Sequence, residues 1–242
     1  MFKGKSVCVV MPAYNEEEAI VQVIKDFNKS YVDAIIIVDN NSTDSTAVLA
    51  KNEGAIVITE TKQGQGHAMT AGLKEGYKRG YDYVIITESD TTFLGKDMEK
   101  LFAYIDDAEI ISGSRVIQPL IGPKAMGWYG IAGNFVLGGM ITMLFNRKSR
   151  LNDVGVTFKL FKRDALGKVL PYLSVGGSDS VVEHFLIPMK LNIPLVQIPI
   201  WYTSRRGLTK QSFGIWSSFK IGCKHFSHIL EYKFNKKIGE NK

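Results

Sequence analysis

Tyr83-Val84-Ile85-Ile86-Thr87-Glu88-Ser89-Asp90 sets five strand-forming residues directly against two acids. Tyrosine, valine, isoleucine and threonine fit a pleated, buried surface, so the run reads as a strand. In an extended chain alternate side chains point the same way. Glu88 and Asp90 therefore present two carboxylates on one side of the strand's end. In an α/β sheet, ligands bind at the C-terminal ends of the strands. Two hard oxygen donors there suit Mg²⁺ or Mn²⁺ carrying a diphosphate. An acid-x-acid pair can equally be a polar strand terminus facing water, so the surrounding sequence has to decide.

Upstream and just downstream, short apolar runs alternate with helical stretches. Ser6–Met11, Ala34–Asp39, Ala55–Thr59, Tyr83–Glu88 and Glu109–Ser114 read as strands. Glu17–Asn28, Asp44–Asn52, Gly66–Arg79 and Asp97–Tyr104 read as helices, with Ser42 or Thr43 as the cap of the second. Alternating β and α implies a largely parallel sheet covered on both faces. Cys8, inside the first strand, reads as core.

The chain has 242 residues, 45% hydrophobic and 22% charged, which describes a folded protein with ample core. Cys8 and Cys223 form neither a disulfide framework nor a metal-ligand spacing and fit a reducing compartment. The N-terminal residues lead straight into the first strand and lack a signal-peptide layout. The formal charge of +6 is uneven: residues 201–242 carry nine Lys or Arg against Glu231 and Glu240, while the first 200 residues are close to neutral. A basic end on a neutral body points to an anionic surface, whether membrane, nucleic acid or phosphorylated ligand, or simply to a solvated tail.

Two further stretches bear on membranes. Ala125–Phe145 is 21 residues without a charge, flanked by Lys124 and by Arg147-Lys148, with Trp128-Tyr129 near one end. Its length qualifies it as a span, but five glycines, Asn134 and Thr142 dilute it. A single span would also put the residues before and after it on opposite sides of the bilayer. A helix lying in the membrane interface, or packed on the body, is the preferred reading. In residues 212–234, Phe213, Trp216, Phe219, Cys223, Phe226, Leu230 and Phe234 recur at steps of three or four, with lysines on other faces. That pattern suits a docked terminal helix or a membrane-surface helix.

The first strand ends in Val10-Met11-Pro12-Ala13-Tyr14-Asn15-Glu16-Glu17, and the second in Val38-Asp39-Asn40-Asn41-Ser42-Thr43-Asp44. Lys62-Gln63-Gly64-Gln65-Gly66-His67 and Glu88-Ser89-Asp90 follow in order. With them, the chain resembles the family-2 glycosyltransferases. Gly113-Ser114-Arg115, then Asn152-Asp153-Val154-Gly155-Val156-Thr157-Phe158-Lys159, then Glu183, and finally Ile198-Pro199-Ile200-Trp201-Tyr202 with Arg205 to Lys210 extend the likeness over residues 6–210. This later series is most similar to the dolichyl- and polyprenyl-phosphate sugar transferases.

The resemblance implies a Rossmann-like, glycosyltransferase A-type α/β fold: a largely parallel sheet flanked by helices, with C-terminal amphipathic surface helices. Its catalytic unit would cover 1–210, with a nucleotide-sugar half (1–115) and an acceptor half (116–210), and a basic helix and tail would follow at 211–242. Pro12, Ala13, Tyr14 and Glu16 would wrap the base and ribose of a nucleoside-diphosphate sugar, with Asp39 accepting from base or ribose. Asn41, Gln65 and Ser89 would complete that side. Asn40 stands where relatives usually have Asp, and Asn41 where they usually have Gly. Gly64 and Gly66 let the backbone pass close to a ligand or a neighbouring loop, and His67 reads as a helix-start residue. They are no dinucleotide fingerprint, because Met69 occupies the third-glycine position.

Glu88 and Asp90 would hold Mg²⁺ or Mn²⁺, Glu88 departing from the usual Asp. Arg115, Arg205 and Lys210 match positions that meet phosphates, where forked guanidinium groups and an ammonium suit a diphosphate or a phosphate acceptor. Asp153 and Glu183 match acidic positions near the sugar or acceptor. The implied reaction moves a sugar, with inversion, from the nucleotide to a polyprenyl or dolichyl phosphate. It would take place on the cytoplasmic face of a membrane touched only peripherally, with no nucleic-acid partner. A transferase acting on a saccharide or protein hydroxyl would need a general base, with Asp153 or Glu183 as candidates. A non-catalytic membrane-associated scaffold is the alternative outside enzymology.

Overall fold

All five expected strands form, in the expected order, in a computed structural model that describes residues 1–116, 126–145, 149–205 and 215–234. They are β1 (Val7–Ala13), β2 (Ala34–Asp39), β3 (Ile56–Thr59), β4 (Tyr83–Ile86) and β5 (Ile110–Ser114). Four helices alternate with them: α1 (Ile20–Phe27), α2 (Thr46–Asn52), α3 (Gln65–Lys78) and α4 (Met98–Ala103). In α1, Ile20, Val23, Ile24 and Phe27 are buried at helical spacing and carry it onto the sheet. The expected cap of α2 is corrected. Ser42 Oγ instead accepts the Asn15 N–H, and the acceptor at the helix start is Asp44, which takes both the N–H and the hydroxyl of Thr46.

The second half adds α5 (Trp128–Leu144), β6 (Lys159–Lys162), α6 (Arg163–Val169), α7 (Ser180–Lys190), β7 (Leu195–Pro199) and α8 (Ile215–Phe234). The seven strands make one sheet in the order β3-β2-β1-β4-β6-β5-β7. Strand β6 runs antiparallel to both β4 and β5, and every other pairing is parallel. Six carboxyl ends therefore gather at one edge, and the single reversed strand brings its beginning there instead. The register pairs Lys159 with Ile86 on one side and with Ser112 on the other. Two residues further out, Thr157 comes level with Glu88.

No helix among the described residues is long and apolar enough to cross a membrane. Both polar residues that dilute α5, and one of its glycines, dock it. Asn134 Oδ1 accepts the N–H groups of Val154 and Gly155, and Thr142 Oγ1 accepts that of Leu151. A Cβ on Gly138 would lie 2.5 Å from the Leu151 carbonyl oxygen, so only glycine lets the helix come this close. The opposite side leaves Trp128, Phe135, Val136 and Met143 exposed. Helix α8 packs with α5 and α7, and its Ile229 and Tyr232 are buried. Of the stripe read in the sequence, Cys223, Phe226 and Phe234 face outward.

Replacing Asn134 by alanine strands the Val154 amide, while the Gly155 N–H keeps its bond to Asp153 Oδ1. Stability in urea should fall by about 1–3 kcal/mol, the usual cost of leaving a partly buried donor unpaired, while α5 remains helical by circular dichroism.

Candidate active site

The carboxyl edge of the sheet is built from β1, β2 and β4 on one side and from β5 and the start of β6 on the other. Near the end of β1, Pro12 C=O accepts the Ser89 hydroxyl (2.8 Å), which ties the ends of β1 and β4 together. Ser89 is buried, so its observed place is this brace. Ala13 is paired with Asp39 across β1 and β2. Tyr14 is partly exposed, and Asn15 turns through φ +52° to bring Glu16 inward. The Glu16 N–H then donates to Thr46 Oγ1.

Asp39 is buried at the end of β2 and accepts the Ser42 N–H (3.2 Å). The next residue explains a departure from the family pattern. Asn40 Nδ2 donates to the carbonyls of Glu60 (2.8 Å) and Lys62 (2.9 Å), while its Oδ1 accepts the Gly64 N–H (2.8 Å). An ionised aspartate has no hydrogens to give and could not make the first two bonds. Asn40 therefore clamps the loop running from Glu60 to Gly64. Asn41 sits at φ +62°, a left-handed position suited to Gly or Asn, and donates to the Thr61 carbonyl. Gln65 opens α3.

Glu88 and Asp90 do come together. Burial, followed by the charge of Asp90 beside it, pushes the Glu88 carboxyl up to about 8, against a hydrogen bond donated by Thr157. That bond, Thr157 Oγ1 to Glu88 Oε1, is 2.9 Å long and follows from the β4–β6 register. Asp90 is buried, and its Oδ1 accepts both the N–H (3.1 Å) and the hydroxyl (2.6 Å) of Thr92. Its Oδ2 lies 3.5 Å from the Arg205 guanidinium, which also pairs with Glu16. Arg205 thus bridges the first loop and the acidic pair. Thr203, two residues earlier, holds this segment on the turn after Asp90 through the carbonyls of Thr91 and Thr92.

Arg115 and Asp153 face each other at the β5–β6 side. Arg115 Nε and Nη2 grip Asp153 Oδ2 (2.9 Å) and Oδ1 (2.8 Å), and the Arg115 N–H adds a third bond. Burial alone would raise Asp153, but the Arg115 charge and these bonds outweigh it and hold the carboxyl below its usual range. The Tyr202 ring lies against the guanidinium, 5.2 Å away. Glu183 is not part of this cluster. It is buried on α7, and its hydrogen bonds come from Ser174, Val175 and Tyr232. Lys210 lies outside the described residues.

Two contributors escaped the sequence. Thr157 holds Glu88, and its signal, a position level with the acidic pair, exists only once β6 is placed antiparallel. Lys159 is fully buried, donates to the Val156 carbonyl and lies 4.2 Å over the Phe185 ring. Burial holds this lysine well below its ordinary range. Cys8 is core as expected, with burial pushing its thiol up to about 12.

An acidic pair carrying a raised carboxyl fits a divalent cation, which would supply the missing positive charge. Among the described residues no third His, Cys, Asp or Glu joins the pair. Two protein carboxylates with the remaining positions left to water and phosphate oxygens is the ordinary provision for Mg²⁺.

This arrangement is that of the glycosyltransferase A-type fold. The chain belongs to glycosyl transferase family 2, whose family model matches residues 8–170. It is 26% identical to a UDP-N-acetylglucosamine–dolichyl-phosphate N-acetylglucosaminyltransferase of Methanococcus voltae, over 96% of this chain and 98% of that protein. It is 27% identical to a dolichyl-phosphate hexose transferase of Haloferax volcanii (84% and 86%). It is 24% identical to an undecaprenyl-phosphate mannosyltransferase of Micrococcus luteus (86% and 88%). Glucosyl-3-phosphoglycerate synthase of Mycobacterium tuberculosis, solved with Mn²⁺, UDP-glucose and phosphoglyceric acid, superposes with a TM-score of 0.69 at 17% identity. The match covers 95% of this chain and 80% of that one.

The raised Glu88 carboxyl makes stability depend on pH. A carboxyl whose folded pKa lies above its unfolded value stabilises the fold while protonated, and that stability is lost as pH rises through about 8. Glu88→Gln, scanned by calorimetry without added metal, should flatten the decline between pH 5 and 9. At pH 9 its Tm should exceed the parent's by at least about 3 °C, which corresponds to about 1 kcal/mol in a chain of this length. Parallel pH profiles for the two proteins would contradict the assignment.

Proposed function

We propose that the protein transfers a sugar from a nucleoside diphosphate to a polyprenyl or dolichyl phosphate, with inversion at the anomeric carbon. One observation carries the choice of acceptor. Both carboxylates that could serve as a general base are already engaged, Asp153 by Arg115 and Glu183 by its hydrogen-bond donors. An alcohol must lose a proton as it attacks, and general-base help typically contributes ~10²–10⁴-fold. A phosphate oxygen is already anionic near neutral pH and needs little such help. The names of the relatives, which include dolichyl- and undecaprenyl-phosphate transferases, support the same reading.

In this reading the 1–210 unit is catalytic, and the donor lies over the β1, β2 and β4 ends, between Tyr14, Asp39 and Gln65. Glu88 and Asp90 would hold Mg²⁺ or Mn²⁺, which when bound neutralises the diphosphate. The Mn²⁺ in the solved neighbour supports such a cation. Arg205, now held by Glu16 and Asp90, turns to the diphosphate and matches the charge that grows on it as the leaving group departs. Arg115, oriented by Asp153 and Tyr202, meets the acceptor phosphate. Lys210 would add a further charge on that side.

The outward aromatic and aliphatic residues of α5 and α8, with Lys220 and Lys233 also exposed, support peripheral contact with an anionic leaflet, which in this reading is the cytoplasmic one. Residues 211–242 would serve this attachment, with no nucleic-acid partner.

The deciding assay offers donor and Mn²⁺ with either polyprenyl phosphate or the matching polyprenol. Transfer should occur to the phosphate alone and fall by at least about a hundredfold in Arg205→Ala, which leaves phosphate charge unmatched. Equal transfer to the alcohol would refute the acceptor assignment. Asp90→Asn keeps the shape but removes charge at the cation position. Titration calorimetry should show donor affinity with Mn²⁺ reduced about tenfold or more, the loss of one charged contact. Equal affinity in the two proteins would overturn the role given to Asp90. Flotation with acidic liposomes should weaken in salt and when Lys220, Lys224 and Lys233 become Gln.

A further inference from the structure

Glu183 is buried on α7, yet no step above uses it. Its Oε1 accepts the N–H and the hydroxyl of Ser174 (both 2.9 Å) and the hydroxyl of Tyr232 on α8, while its Oε2 accepts the Val175 N–H (3.1 Å). Oε1 thus shares three donors and Oε2 takes one, so both oxygens of the carboxylate are engaged. Burial, followed by the hydrogen bond to Glu183, pushes the Tyr232 hydroxyl well above its ordinary range, so it remains a donor at neutral pH.

The segment so held leads to the donor loop. The Gly176 carbonyl, next in line, accepts the N–H groups of Gly66 (2.9 Å) and His67 (3.3 Å) in the first turn of α3. Helix starts leave such groups without partners inside the helix. Here the neighbouring segment supplies the partner. The two loops meet backbone to backbone: a Cβ on Gly64 would lie 2.4 Å from the Gly176 oxygen, and one on Gly66 2.2 Å from that of Val175. The two glycines of the motif are needed for this loop-to-loop approach. A second tie reaches the same segment from α8, where Lys224 and His225 (3.3 Å) flank the buried Asp179.

We propose that Glu183 is a positioning residue for the donor loop. It fixes Ser174 to Gly176 against Gly64 to His67, and Tyr232 makes that placement depend on the docking of α8. The helix that turns its aromatic side outward thereby holds, by its inner side, the loop bordering the donor. The inference rests on the proposed reading only in calling residues 60–67 the donor loop. The chain of hydrogen bonds stands apart from it.

The test uses the full chain and two variants. Tyr232→Phe removes one donor and keeps the ring in place, and Glu183→Gln replaces the charge with an amide. Amide hydrogen exchange should quicken at Ser174, Val175, Gly66 and His67 while β1 and β4 stay protected. The KM for the sugar nucleotide should rise about tenfold in Tyr232→Phe, the effect of one hydrogen bond to a charged group, with kcat within about twofold of the parent. Two results would overturn the proposal. One is exchange and KM unchanged in Tyr232→Phe. The other is a kcat loss of ~10²-fold or more at constant KM, the mark of a lost base. If the parent turns over no sugar nucleotide at all, the proposed function fails, and the exchange data still decide whether Glu183 holds the loop.

Discussion

The reversed insertion of β6 between β4 and β5 is the constraint on which the site depends. In a wholly parallel sheet the ligand edge receives only strand ends, and residues before a strand lie at the opposite edge. Here β6 enters from the ligand edge, so the segment 153–157 arrives between the acidic pair and Arg115. The antiparallel register then settles the contacts. Thr157 falls level with Glu88 and gives it a hydrogen bond, and Asp153 reaches Arg115 with both oxygens. Residue type alone explains neither contact, since a threonine and an aspartate in a loop have many possible partners.

Charge balance is the second level of organisation. Besides Asp39 on β2, three buried carboxylates, on Glu16, Asp90 and Asp153, sit at this edge with Glu88 beside them. Each of the three has a guanidinium: Asp153 has Arg115 alone, and Glu16 and Asp90 share Arg205. Glu88 accepts the Thr157 hydroxyl but, among the described residues, forms no ion pair, and its carboxyl is pushed upward. A site with one carboxyl short of a counter-charge, next to an arginine divided between two acids, can accept further positive charge without first breaking a strong pair.

Much of this was legible in the sequence. The alternation of apolar runs and helices located β1 to β5 and α1 to α4, because each carries its own period or its own turn. The acidic pair and the first-loop residues were legible through their place after strands. The later elements were not, for physical reasons. Every residue of α7 from Ser180 to Met189 is buried, so the helix shows no polar face to mark its period, and Pro188 interrupts it. Strand β6 has only four residues, and it opens on a lysine, Lys159, that lies in the core. In the sequence Asn40 is only a departure from a pattern. Its reason, two donated hydrogen bonds to a loop twenty residues away, is visible only in three dimensions.

The uncharged stretch around α5 shows how one composition can suggest the wrong geometry. A membrane span needs lipid-compatible residues all round, and polar groups within it must find partners inside the bilayer. In α5 the exceptions to apolarity lie where the helix meets the body: Asn134 and Thr142 take backbone amides from residues 151–155, and Gly138 admits the Leu151 carbonyl. The segment they secure contains Asp153, which orients Arg115. A helix spanning lipid would have to give up those bonds and release Asp153 from its place. Asn134, Thr142 and Gly138, among the residues that dilute its hydrophobicity, are therefore the ones that join α5 to the active centre. Only its remaining face, with Trp128, Phe135, Val136 and Met143, is left for a surface outside the protein.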